Sequence, residues 1–267
     1  MFWFLVAILS AAALPLRAQT QSAADKHGLS RAVQFQTEGR YAEALAEYTA
    51  ALDELERRLG PEDIAVAQAL VGIGTVRVLQ HDDPRAKAAF DRSLAISEKA
   101  LGPEHVQVGF TLQSIAMLTH KQGHYAAAET LYRRALAILE KNLGPVHERT
   151  AFLEVSMAKL YLAQRRNSEA EALLEKAIPV IENSGEPDQA TLAVALKDLA
   201  EAYRQDGRYL KAEPLYARLL AMVQEKPQSL NDNIRTGLKA YLQVLRKMKR
   251  KTEARELEMQ LQTMMPR

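Results

Sequence analysis

The chain has 267 residues, no cysteine and a formal net charge of +2. Disulfides, cysteine-ligated zinc and thiol catalysis are therefore excluded, and no global charge draws the chain to nucleic acid or to a membrane surface. Ala and Leu dominate and only 6% of residues are aromatic, a balance that reads as all-α.

Residues 2–16, FWFLVAILSAAALPL, are nearly all apolar, and the polar stretch RAQTQSAADK follows. The run has the length of a secretory h-region and is short for a membrane span. Cleavage after Ala18 is expected, which leaves Gln19 first in an exported chain, secreted or periplasmic. No Lys or Arg precedes the run, so the alternative is an uncleaved N-terminal anchor holding an intracellular adaptor at the membrane. Residues 1–18 are thus set apart as a leader, and 19–267 are expected to form a single domain.

From residue 25 onward the chain repeats itself every 42 residues. Ala44, Ala86, Ala128, Ala170, Ala212 and Ala254 are equally spaced. A large side chain follows the first five by four positions: Tyr48, Phe90, Tyr132, Leu174 and Tyr216. A small residue precedes five of them by twelve: Ala32, Gly74, Ala116, Ala158 and Ala200. This spacing predicts helix hairpins, near 25–60, 61–102, 103–144, 145–186, 187–228 and 229–267. The small residue and the alanine let two helices approach, and the large one, a turn on, fills the gap toward the next unit.

Within the first unit GRYAEA (39–44) supplies the hairpin turn, as do GHYAAA (123–128) and GRYLKA (207–212) later; the second unit has HDDPRA there instead. Leu-Gly-Pro at 59–61, 101–103 and 143–145 joins one unit to the next. The glycine is expected just past a helix end with positive φ, and the proline in the first turn of the next helix. This is punctuation and not a phosphate loop, because the further glycines and lysine are missing. VGIG (71–74) lies at the tight packing slot, with no strand before it to make a dinucleotide site. In the second unit's turn Asp82 or Asp83 is expected as an N-cap. His120 and His124 have metal-ligand spacing, but Gly123 breaks the helix between them and no third ligand is near, so neither metal nor cofactor is expected. The sixth unit carries Glu258 where the others have a large apolar residue, as suits the polar outer face of a terminal hairpin. The basic run RKMKRK (246–251) has no aromatic stacking partners nearby, and nucleic-acid binding is not expected.

The small/large/Ala pattern, the LGPEH joint and GxYxxAExLYxRALxIxEK (123–141) resemble the tetratricopeptide repeat, in the 42-residue subtype of kinesin light chains. The resemblance implies a right-handed α-solenoid of about six hairpins, a non-enzymatic scaffold that binds a protein or peptide in a concave groove lined by the first helix of each pair. Carried onto this sequence, the groove residues are Val71, Thr75 and Val78 in the second unit and Phe110, Gln113, Met117 and His120 in the third. The fourth contributes Phe152, Val155, Lys159 and Leu162. The fifth contributes Lys197, Glu201 and Arg204, and the sixth Lys239, Gln243 and Arg246. An apolar half is thus expected beside a basic half opposed only by Glu201, suited to a partner with apolar and acidic segments. The subtype's Leu-Asn-Asn-Leu-Ala is absent; the corresponding stretches are LVGIG, LQSIA, EVSMA and LKDLA, so only Gln113 is left to offer an amide to a peptide backbone. A ligand-binding regulator or enzyme would need a deep pocket with convergent polar groups, which a repeat groove rarely makes.

Overall fold

The computed structural model describes residues 23–185, 188–226 and 231–264; the expected leader lies outside them. The described residues form twelve α-helices and no strand, six hairpins in all, an all-α solenoid fold. The chain divides into two compact units, one ending at Gly144 and the other starting at Pro145. The first holds α1 (Ala23–Thr37), α2 (Tyr41–Leu59), α3 (Ile64–Leu79), α4 (Asp83–Leu101), α5 (Val106–Lys121) and α6 (Tyr125–Leu143). The second holds α7 (Glu148–Ala163), α8 (Asn167–Glu182), α9 (Gln189–Gln205), α10 (Tyr209–Glu225), α11 (Asp232–Lys247) and α12 (Lys251–Met264).

The two helices of a hairpin bury different amounts. On α2 the buried side chains are Ala44, Tyr48, Ala51 and Leu55, one stripe at helical spacing; α6 and α10 repeat it with Ala128/Tyr132/Ala135/Leu139 and Ala212/Tyr216/Leu219/Val223. First helices such as α3 and α5 are buried around most of their circumference. They also touch one another, α1 to α3 to α5 in the first unit and α7 to α9 to α11 in the second. Within each unit the first helices therefore form an inner layer, covered on one side by second helices. Buried hydroxyls are satisfied on the spot: Thr75 on α3 donates to the Val71 carbonyl at 2.8 Å, and Ser93 on α4 donates across the hairpin to the Ala67 carbonyl at 2.8 Å.

The repeat alanines do what their spacing predicts. Ala44, Ala86, Ala128, Ala170 and Ala212 are wholly buried, and Ala254 nearly so. Gly74 takes the small slot because a Cβ there would lie 2.5 Å from the Phe90 ring, and a Cβ on Gly72 would collide with Tyr48. Each LGP glycine sits past a helix end with φ near 90° and ψ near 160°, a region open essentially only to glycine. The proline differs from expectation. Pro61 and Pro103 stand in a turn before the next helix, closed by Asp63 N–H donating to Gly60 O at 3.4 Å and His105 N–H to Gly102 O at 3.3 Å. The helix starts later because Asp63, His105 and His147 cap it: each side chain accepts from the backbone N–H two residues on, at 2.9, 3.2 and 3.1 Å. Asp82 caps α4, accepting from Arg85 N–H at 3.3 Å, as the HDDP stretch suggested.

The hairpin turns show a second period. Gly39, Gly123 and Gly207 have positive φ, and so do His81, Arg165 and Lys249 at the same position of the alternate turns, at φ 62°, 62° and 61°. Even-numbered hairpins thus place a basic residue in a left-handed conformation where odd-numbered ones place glycine.

Candidate interaction surface

On α9, past its first turn, the side chains that are not buried are Val194, Lys197, Glu201, Arg204 and Gln205, all half-buried and on one stripe; on α11 the exposed Thr236, Lys239, Gln243, Arg246 and Lys247 form its counterpart. Of the expected groove residues, Lys197, Arg204, Lys239 and Arg246 therefore lie on the open side of the first-helix layer. Lys159 and Leu162 on α7 are half-buried, as are Met117 and His120 on α5, where His120 meets Tyr125 edge-on with ring centres 5.7 Å apart. Val71, Phe110, Gln113 and Phe152 are 2–9% exposed and Val155 is completely buried. These five, with Thr75 and Val78, belong to the helix packing. The apolar half expected from the sequence thus retreats to Met117 and Leu162.

The basic half is largely compensated. Lys197 Nζ lies 2.6 Å from Asp198, whose side chain is 3% exposed. Arg204 grips Glu201 with Nη2 and Nε at 2.6 and 2.7 Å. Arg246 reaches across its hairpin to both oxygens of Glu258 at 3.0 and 3.1 Å. The expectation that only Glu201 opposes these cations is corrected: Asp198 and Glu258 do so too. Lys239 is exposed and has no ionic partner among the described residues.

Burial alone would raise the Glu201 carboxyl, but the hydrogen bonds from Arg204 and Gln205 outweigh it and hold the group below the usual carboxylate range. On α7, burial pulls the Lys159 ammonium below the ordinary lysine value, Asp198 pushes the other way, and Lys197 adds to the depression. Asp198 is the residue that sequence reasoning missed. Its siblings one period away are Ser30, Gly72, Ser114, Ser156 and Ala240, all small. A carboxylate in a slot otherwise kept small was the available signal.

Lys197 owes its pose to α11. A Cβ on Gly237 would lie 2.7 Å from Lys197 Cγ and 2.9 Å from Leu219 Cδ2, so only glycine lets α11 close over the lysine stem and turn its ammonium toward Asp198. The described residues contain no group of three or more His, Asp or Glu side chains able to hold a metal ion, and no helix among them is long and apolar enough to cross a membrane.

No curated protein sequence matches the chain. Solved structures similar to it include a kinesin light chain with nearly identical TPR-like repeats from Podosopora anserina, at 19% identity and a TM-score of 0.60, covering 76% of this chain and 96% of that one. BtubC from P. vanneervenii is similar at 16% identity and a TM-score of 0.70, covering 84% and 90%. The pilF protein of Pseudomonas aeruginosa follows at 14% identity and a TM-score of 0.65, covering 91% and 92%. At these identities the likeness is one of fold. A family model for the tetratricopeptide repeat matches residues 22–99, 79–141, 115–183 and 148–225. With twelve helices in six hairpins among the described residues, alanines at the tight contacts and overlapping matches across most of its length, the chain belongs to the tetratricopeptide repeat family.

Proposed function

We propose that the chain is an exported, non-catalytic scaffold that holds a segment of another protein against its first-helix layer. Tetratricopeptide repeats are in general protein–protein interaction scaffolds, which makes the broad role the default one for this fold. The observation that carries the finer reading is the open stripe on α9 and α11, where charged side chains project from a layer otherwise closed by packing. Because Lys197, Arg204 and Arg246 are already paired, a partner gains little from their net charge. It gains from the unpaired Lys239 and from aligned donors and acceptors, so the partner segment is polar with an acidic group opposite Lys239. Leu162 on α7 is the apolar position that the second unit leaves to it.

Site-specific photo-crosslinking tests this. A photoreactive residue at Lys239 or Gln243, both exposed, is expected to capture the partner in the native host. The same residue at Lys87 or Arg133 on second helices is expected to capture nothing. Capture only from the second helices overturns the reading. Export rests on residues 2–16 and is tested separately. Recovery outside the cytoplasm with an N-terminus at or near Gln19 supports it, and membrane-bound material retaining Met1 rejects it.

A further inference from the structure

The hairpin turns of the second unit all lie on one edge, because α7, α9 and α11 run in the same direction. Contacts between successive hairpins bear this out: Asn167 donates to Asp206 at 2.6 Å, Arg208 pairs with Glu171, and Arg250 reaches Glu213 at 3.1 Å. This edge carries a charge surplus. Arg166 takes Glu169, Arg208 takes Glu171 and Asp206, and Arg250 takes Glu213 and Glu253. The arginines that follow each turn thus consume the nearby acids. Five further cations on the edge, Arg165, Lys211, Lys247, Lys249 and Lys251, are left without an ionic partner among the described residues. All five are exposed.

The corresponding edge of the first unit is balanced. Arg40 pairs with Glu38 and Glu43, Arg77 and Arg85 with Asp82, and Lys121 with Asp83. The surplus is therefore particular to the second unit and not a by-product of the repeat. It is also held at a conformational cost. Arg165 and Lys249 occupy left-handed positions that glycine fills in the turns at 39, 123 and 207, and a long side chain with positive φ is retained there against the local preference of the backbone.

Amid these cations stands Leu210, 81% exposed, the most exposed large hydrophobic side chain of the described residues. It follows the turn at Gly207 and is next to Lys211. A patch of unpaired lysines around one protruding aliphatic side chain, on an outer edge and not in a groove, matches a planar surface that is anionic at the level of the headgroups and apolar just beneath. A folded acidic partner would leave Leu210 without a cavity, and a nucleic acid would want free aromatic platforms, whereas Tyr161 and Tyr203 on this edge are already covered by Arg166 and Arg208, at 4.2 and 4.5 Å from ring centre to guanidinium carbon.

We propose that the hairpin-turn edge of the second unit, centred on Lys247, Lys249, Lys251 and Leu210, docks on an anionic lipid surface. The edge meets the first-helix layer at Lys247, the last residue of α11; the rest of the α11 stripe, Thr236 to Arg246, stays open to a protein partner while the edge is engaged. The proposal does not depend on residues 2–16.

Vesicle flotation of the full chain decides it, with phosphatidylcholine alone compared to phosphatidylcholine carrying about a third phosphatidylglycerol. Residues 2–16 do not discriminate headgroup charge, so the readout is the increment caused by the anionic lipid. That increment is expected to be about tenfold or more at low salt and to shrink as salt is raised. Lys247→Glu/Lys249→Glu/Lys251→Glu should abolish it and leave binding to neutral vesicles unchanged. Leu210→Ser should preserve the salt dependence and weaken retention at high salt. Lys249→Gly guards against misfolding, since it relieves the left-handed strain while removing one charge; it should raise the melting temperature and cut the increment about fivefold. Equal partition into neutral and anionic vesicles overturns the proposal. So does an increment untouched by Lys249→Gly and the triple variant, or binding to poly-glutamate without binding to anionic vesicles, which would assign the edge to an acidic polypeptide.

Discussion

Glycine serves two purposes in this chain, and they predict different failures. At Gly102 a Cβ would meet nothing within 4 Å, yet φ is 89°. Gly102→Ala is therefore expected to cost about 1–3 kcal/mol through the backbone alone, with no compensating variant among neighbouring side chains. At Gly109 φ is ordinary but a Cβ would strike Leu139. Gly109→Ala should be destabilising too, and Leu139→Ala should recover part of the loss. Urea titration of the two singles and the double separates the cases. The Lys197–Asp198 pair is the other residue-scale feature with a sharp consequence. Lys197→Met leaves the buried Asp198 carboxylate with only the half-buried Lys159 to oppose it, at a cost of about 3 kcal/mol or more, whereas Asp198→Ala leaves an ammonium that is partly solvated and costs less. Equal losses would mean that the pair does not neutralise a buried carboxylate.

At the scale of helices, the period of alanines translates into a graded response to overpacking. Ala128 and Ala170 are fully enclosed, so Ala128→Leu and Ala170→Leu should each lose about 1–3 kcal/mol of stability. Ala254 lies in α12, which has no following helix among the described residues, and Ala254→Leu should cost less; comparable and negligible losses at all three would sever the link between the period and the helix contacts. The helices themselves were legible in the sequence because glycine and proline mark the first three joints and small residues mark the contacts. Their starting points were less so. His105 and His147 cap helices through Nδ1, a role the residue type does not advertise, and this moved the proline out of the first turn and into the preceding one. The charges of the candidate surface were the least legible part. Lys197 and Asp198 are adjacent in the chain, and adjacent helical residues do not ordinarily face each other; the pair forms because Gly237 on another helix presses the lysine stem aside. Arg246 and Glu258 meet only through the hairpin. Charge read along one helix at a time overstates the field that the folded surface presents.

Across the described residues, six tyrosines are held protonated beyond their ordinary range. Burial raises Tyr41, Tyr48, Tyr132, Tyr203, Tyr216 and Tyr241; for Tyr203 the hydrogen bond to Glu175 adds to it, and for Tyr241 the bond to Glu213 helps push the phenol up to about 12. A folded-state value above the unfolded one means that the stabilisation is complete below about pH 10, the ordinary phenol value, and drains away as the pH climbs through the raised values. The urea midpoint should therefore hold through pH 9 and fall steeply above pH 10. Tyr203→Phe and Tyr241→Phe should make the decline shallower, and a decline indifferent to both would place the alkaline sensitivity elsewhere. The joints carry a further consequence. Each glycine joint and each left-handed turn recurs at one fixed interval, and the residues bridging neighbouring hairpins recur with them. A stretch of coding sequence one unit long from the first three hairpins can then be duplicated or lost by unequal crossover, and the new seam still meets a glycine, a turn and a cap in register. For such a gene the number of hairpins is itself a heritable trait, free to vary while the character of each hairpin is conserved.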